Sequence, residues 1–174
     1  FVGRLVKQKN VETLIKALNT LNDKDFRKSI EVDIVGDGPL MGKLIALTKS
    51  LKLSHMISFE GNKKNVESYY QKADIFVLPS IWEGFGLVIL ESFKAKVAVI
   101  SSNIEGPSEL IRHGFNGLLF EPGDFIGLAN NIEELIKNVK KRENIAENGQ
   151  NTLKEEYHID VYVKKLNVLY ENSK

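Results

Sequence analysis

No cysteine occurs among the 174 residues, which removes disulfides, thiolate metal sites and a cysteine nucleophile together and leaves the redox compartment undetermined. No apolar run approaches the roughly 18 residues that a membrane-crossing helix needs. No basic, apolar, small-residue sequence of the secretion type opens the chain. Repeats and low-complexity tracts are also missing. Neither charge is in excess: 24 Lys and Arg face 23 Asp and Glu, a formal balance of +1. Such a chain has no bulk electrostatic pull toward nucleic acid or anionic lipid, so an anion must be recognised locally. The histidines His55, His113 and His158 lack the spacing of a metal site or a nucleophile-activating pair and read as surface or loop residues. The basic run from Lys137 to Arg142 reads as solvated helix surface.

An apolar content of 43% is ample for one domain with a sheet covered on both faces. Short strand-type runs alternate with amphipathic stretches, the pattern of βα units stacked into a parallel sheet. The runs are Phe1 to Gly3, Val32 to Val35, Ile57 to Glu60, Ile75 to Leu78, Val97 to Ser101 and Leu118 to Phe120. Between them Val11, Leu14, Ile15, Leu18 and Leu21 recur at helical spacing, as do Leu40, Leu44, Ile45 and Leu47, then Val66, Tyr69 and Tyr70. After Phe120, Pro122-Gly123-Asp124 caps one long helical stretch carrying Leu128, Ile132, Leu135, Ile136 and Val139. A last helix, over residues 159–172, carries more apolar residues than one stripe needs and is expected to pack on a part of the protein outside this chain. The opening Phe1-Val2-Gly3-Arg4 reads as the end of a strand entering a glycine turn. The expectation is therefore a single domain over 1–174, cut from a longer protein whose amino-terminal part is missing.

Glu83-Gly84-Phe85-Gly86-Leu87-Val88-Ile89-Leu90-Glu91 joins a glycine-hinged turn to the first turns of a helix, directly after the strand-type run Ile75 to Leu78. That is where parallel α/β sheets keep their ligands. Paired carboxylates raise the question of glycoside hydrolysis, but helical rise puts these two roughly 12 Å apart along the chain. Hydrolytic pairs need about 5 to 9.5 Å. The two can instead hold the ends of one extended ligand, such as a nucleotide sugar, with the backbone amides near Phe85, Gly86, Leu87 and Val88 donating between them. The plain structural reading makes Glu83 a capping acid, Glu91 an exposed helix residue and the glycines turn formers.

Two further loops follow strands. Gly3-Arg4-Leu5-Val6-Lys7-Gln8-Lys9-Asn10 supplies cations, and Arg4 with Lys9 suits a diphosphate neutralised without a metal. Lys7 reads as solvated. Gly36-Asp37-Gly38-Pro39-Leu40-Met41-Gly42, with Glu60 further on, imitates a dinucleotide fingerprint, one residue too long between glycines. This keeps an NAD(P)-binding oxidoreductase as the alternative, although Pro39 at a first helical position explains the same turn. Ser101 to Glu109 can close the crevice or start an ordinary helix. Trp82 and Phe85 flank Glu83 as pocket walls, with core packing at least as good a reading for Trp82.

Together these pieces resemble the donor-binding, C-terminal half of the retaining glycosyltransferases of family 4 (glycosyl transferases group 1), which have the two-Rossmann-domain GT-B architecture. The residues carrying the resemblance are Gly3-Arg4-Leu5 with Lys9, Gly36-Asp37-Gly38-Pro39, Phe59-Glu60-Gly61, Ala73-Asp74, Pro79-Ser80, Glu83-Gly84-Phe85-Gly86 with Glu91, Gly106-Pro107-Ser108-Glu109, Gly114, Asn116-Gly117 and Pro122-Gly123. It implies a Rossmann-like three-layer α/β/α domain with a parallel sheet of about six strands. It also implies donor-diphosphate contacts from Gly3, Arg4, Lys9, Leu87 and Val88, and donor-sugar contacts from Glu83, Gly84, Phe85 and Gly86. Glu91 would bind the ribose; Gly36, Asp37, Gly38, Glu60, Gly61 and Asn62 would lie near the base. Asn10 departs from the glycine frequent after the lysine. A UDP- or GDP-sugar would be the donor, with no cofactor or metal required. The acceptor, a saccharide or lipid-linked one, would sit on the missing domain, and any membrane contact would come from that part of an otherwise cytoplasmic, peripheral protein. The other outcome is a noncatalytic, degenerate transferase module.

Overall fold

β-branched and aromatic residues fill the short runs, and in the computed structural model these become strands. The structure describes residues 1–21, 30–157 and 163. Within it, β1 (Val32–Val35) pairs in parallel with β2 (Ile57–Gly61), and β4 (Ala98–Ser102) lies between β3 (Ile75–Leu78) and β5 (Leu118–Phe120), again in parallel. The fold is α/β, as expected. Among the described residues there are five strands in groups of two and three. The sixth expected run, Phe1 to Gly3, contributes a single parallel bridge, Val2 to Val35, because the chain turns at Gly3 into the following loop. Every residue of β4 is buried, as a central parallel strand flanked by helices must be.

Among the described residues the α-helices are α1 (Val11–Thr20), α2 (Met41–Ser50), α3 (Glu67–Lys72), α4 (Leu87–Lys94), α5 (Pro107–Leu110), α6 (Phe125–Lys137) and α7 (Val139–Glu156). In α1 the stripe Val11, Leu14, Ile15 and Leu18 is buried, as its spacing requires. The helix α2 begins after Pro39 rather than at it: the Leu40 amide donates to the Leu5 carbonyl at 3.1 Å and belongs to the loop. The long stretch after Phe120 is two helices. Asp124 caps α6 by accepting from the Ile126 and Gly127 amides, and Asn138 both ends α6 and caps α7 by accepting from the Lys141 amide at 2.9 Å. This side-chain capping breaks a helix that apolar spacing alone continues.

Helices α4 and α7 pack on β4 and on each other. Gly149 permits their close approach, since a Cβ there would stand 2.6 Å from the ring of Phe93, a fully buried side chain of α4. Burial of that ring contributes about 1.5–3 kcal/mol and fixes the helix that opens at the candidate site. No described helix is long and apolar enough to cross a membrane. The expected helix over 159–172 lies outside the described residues apart from Val163, which is 45% exposed.

Candidate functional site

Parallel strands put all their following loops at one edge, and the site is built from those loops. After Gly3, Lys7–Lys9 forms one turn of 3-10 helix and Asn10 takes the left-handed conformation, φ 46 and ψ 42. Asparagine tolerates this region better than most side chains, and its Nδ2 donates to Thr13 Oγ1 at 2.7 Å. The loop backbone therefore keeps a turn that glycine would make most easily. It is tied to the loop after β3: the Ile81 amide donates to the Gln8 carbonyl at 2.8 Å and Gln8 Nε2 to the Trp82 carbonyl at 3.0 Å.

That clamp brings Lys9 onto Glu83. Lys9 Nζ reaches Glu83 Oε1 at 2.5 Å, and Ser80 Oγ donates to the same oxygen at 2.6 Å. The side chains of Lys9 and Glu83 are 17% and 8% exposed, and Ser80 is fully buried. Both donors use Oε1, so Oε2 is without a partner among the described residues. Arg4 is exposed and, among the described residues, makes no side-chain hydrogen bond or ion pair. Trp82 is 62% exposed, which corrects the core reading: its backbone is held by Gln8 while its ring faces out.

The Gly36 turn serves the first loop from behind. A Cβ on Gly36, at φ 135, would lie 1.9 Å from the Gly3 carbonyl oxygen, and one on Gly38 would lie 2.5 Å from that of Leu5. The Leu5 amide donates to the Asp37 carbonyl at 2.9 Å. Asp37 turns its carboxylate onto the Gly38 amide at 2.6 Å. The glycine faces that a dinucleotide pyrophosphate would use are thus occupied by backbone, against the fingerprint reading. Beyond them, the Gly36 amide donates to the Gly61 carbonyl at 2.8 Å. Glu60 accepts from Tyr69 Oη at 2.7 Å and pairs with Lys63 at 3.1 Å; these bonds, Tyr69 first, hold its carboxyl below the usual glutamate value and raise the Tyr69 hydroxyl. Asn62 is exposed beside them.

At the glutamate-rich turn, Gly86 is the N-cap of α4 at φ 85, and no side chain caps this terminus. The Ile89 amide is used by the Gly86 carbonyl; those of Leu87 and Val88 point from the open end of the helix, where backbone donors and the helix dipole favour an anion. Gly84 is open, with nothing within 4 Å of a Cβ placed on it, and its carbonyl rests against Gly106. Glu91 lies exposed on α4 and accepts from Tyr70 Oη at 2.9 Å. Phe85 stands edge-on to Tyr157 at 6.1 Å between ring centroids. Among the described residues no three His, Asp or Glu side chains group as metal ligands would.

The model of the family described as "Glycosyl transferases group 1" matches residues 1–152. The chain belongs to the group 1 glycosyltransferases. Its relatives in that family include the lipopolysaccharide core biosynthesis glycosyltransferase LpsE of Rhizobium meliloti, 34% identical, with 87% of this chain and 43% of the relative covered. Among solved structures, Anabaena Alr3699/HepE in complex with UDP superposes with a TM-score of 0.87 at 26% identity, over 98% of this chain and 47% of that one. The C-terminal domain of a group 1 family protein, LpcC, from Francisella tularensis gives 0.80 at 30% identity, over 90% and 84%. The architecture is that of the C-terminal half of a GT-B glycosyltransferase. The chain spans under half the length of the curated relatives it matches.

Within this glycosyltransferase domain, the Lys9–Glu83 pair and the Gln8 clamp join the loop that carries Gly3, Arg4 and Lys9 to the turn that runs from Glu83 through Gly84, Phe85 and Gly86 to Leu87 and Val88, and Gly36, Asp37 and Gly38 back the first of these loops. Sequence reasoning did not assign Ser80, Gln8 or Tyr70 to the site. Gln8 has no readable signal. Ser80 and Tyr70 had one: Ser80 follows the apolar run Ile75 to Leu78, Tyr70 shares a helix face with Val66, and a buried hydroxyl needs a hydrogen-bond partner.

Proposed function

We propose that this chain is the nucleotide-sugar-binding half of a retaining glycosyltransferase that moves a hexose-type sugar onto an acceptor hydroxyl. The observation that carries the reading is the junction of Lys9 and Ser80 on Glu83 beside the uncapped start of α4. Arg4, Lys9 and the Leu87 and Val88 amides hold the donor diphosphate and stabilise its charge as the bond to the anomeric carbon breaks. The unpartnered Oε2 of Glu83, with the Gly84 to Gly86 backbone, holds the sugar, and Glu91 accepts from the ribose. Positioning and electrostatics carry the reaction, and the scheme gives a metal no task.

The complexes of the Anabaena protein with UDP and with UDP-glucose support a nucleotide-sugar donor and make UDP the first base to test. The roles of LpsE in lipopolysaccharide core synthesis and CapM in capsular polysaccharide synthesis support a saccharide or lipid-linked acceptor in bacterial surface polymers. That acceptor is held by a part of the protein beyond this chain, so the chain alone binds donor without measurable transfer. Calorimetry with UDP, GDP, ADP and NADH is the test. Saturable binding of one nucleoside diphosphate, lost in Arg4→Ala, is expected; binding of NADH alone overturns the reading.

A further inference from the structure

Two adjacent tyrosines of α3 each serve a carboxylate: Tyr69 donates to Glu60 and Tyr70 to Glu91. The second pair is the unusual one. Tyr70 is 3% exposed, with its ring packed against Phe76 of β3 at 5.5 Å between centroids. A phenylalanine would fill that place equally well, so the hydroxyl needs a purpose of its own. Among the described residues its one hydrogen-bond partner is Glu91 Oε2, at 2.9 Å. Glu91 is itself exposed, and among the described residues no cation pairs with it. Without Tyr70 it would be a surface glutamate sampling several rotamers.

We infer that Tyr70 is a positioning residue of the donor site, a buried donor that fixes the Glu91 carboxylate by Oε2 and leaves Oε1 to read the ribose hydroxyls. The inference rests on the assignment of Glu91 to the ribose made above. It gives the two glutamates of the motif one design: Ser80 and Lys9 hold Glu83 by Oε1, Tyr70 holds Glu91 by Oε2, and among the described residues each keeps its second oxygen unengaged. Burial, and then the nearby Glu91 charge, push the Tyr70 hydroxyl well above the ordinary tyrosine value. Tyr70 therefore keeps its proton, and donates to Glu91, across the neutral pH range. A fixed carboxylate loses less freedom when the ribose arrives, which is the usual gain from preorganisation.

The test compares the nucleoside diphosphate that binds best in the panel above with its 2′,3′-dideoxy counterpart, on the parent chain, Tyr70→Phe, Glu91→Ala and the double variant. The parent should prefer the hydroxyl-bearing ligand by about tenfold or more. In Tyr70→Phe that preference should shrink about threefold to tenfold, with the affinity for the dideoxy ligand unchanged and the variant folded by circular dichroism. In the Glu91→Ala background the Tyr70 substitution should change nothing further. Equal losses for both ligands would make Tyr70 merely structural and overturn the inference while leaving Glu91 on the ribose, as would a preference that Tyr70→Phe leaves intact. A parent chain with no preference for ribose hydroxyls, or with no nucleotide binding, would remove the assignment of Glu91 and this inference with it.

Discussion

Removing the Lys9 ammonium leaves the Glu83 carboxylate in a place that is 8% exposed, with the Ser80 hydroxyl as its remaining donor. Exposed ion pairs contribute about 0–1 kcal/mol, whereas stripping one partner from a buried pair costs about 3–5 kcal/mol. With Lys9 itself 17% exposed, Lys9→Met falls between these limits, at about 2–3 kcal/mol. For a chain of this length that lowers the melting temperature by about 5–10 °C. The penalty belongs to an unpaired charge, so neutralising the charge should relieve it. Lys9→Met/Glu83→Gln, followed by thermal unfolding, should recover at least half of the loss, because the amide can still accept from Ser80. On the proposed function nucleotide binding should not recover, since the cation assigned there to the diphosphate is missing from both variants. A double variant no more stable than Lys9→Met, or a Lys9→Met that melts with the parent, would refute the argument.

Gly36→Ala places a methyl group 1.9 Å from the Gly3 carbonyl oxygen at a left-handed φ, so the loop carrying Arg4 must shift; a loss of about 1–3 kcal/mol and weaker nucleotide binding are expected by denaturant melt and calorimetry, and an unchanged melt would contradict the packing. Tyr69 and Lys63 depress the Glu60 carboxyl below its ordinary 4.5, so its contribution is complete above that value and is lost as pH falls through the depressed one. Urea midpoints from about pH 6 to about pH 3 should decline less steeply in Glu60→Gln; parallel curves would show that the cluster adds nothing.

The strand runs were legible because burial on both faces selects continuous β-branched and aromatic residues, and Ile75 to Leu78 or Leu118 to Phe120 can hardly read otherwise. The loops were legible in part. Their glycines and charges stand out in sequence, but the sequence does not say what each glycine is for. Gly36 and Gly38 looked like a cofactor cradle and are a seat for the Gly3 to Leu5 backbone. Lys9 and Glu83 looked like separate ligand groups and are each other's partner, because a contact across 74 positions of sequence depends on how Gln8 clamps the Trp82 loop. The split at Asn138 was hidden for a local reason: apolar spacing runs through it, and only the side chain's turn back onto the Lys141 amide ends the first helix.

The family model matches residues 1–152, yet Phe85, in the middle of the glutamate motif, leans on Tyr157, whose hydroxyl donates to the Glu109 carbonyl at 3.2 Å. A protein trimmed to the matched stretch would keep every residue of the recognised motifs and still lose the ring that borders them. The working edge of this domain is drawn by an aromatic contact beyond the family match, and a truncation or fusion of this chain is better cut after Tyr157 than at residue 152.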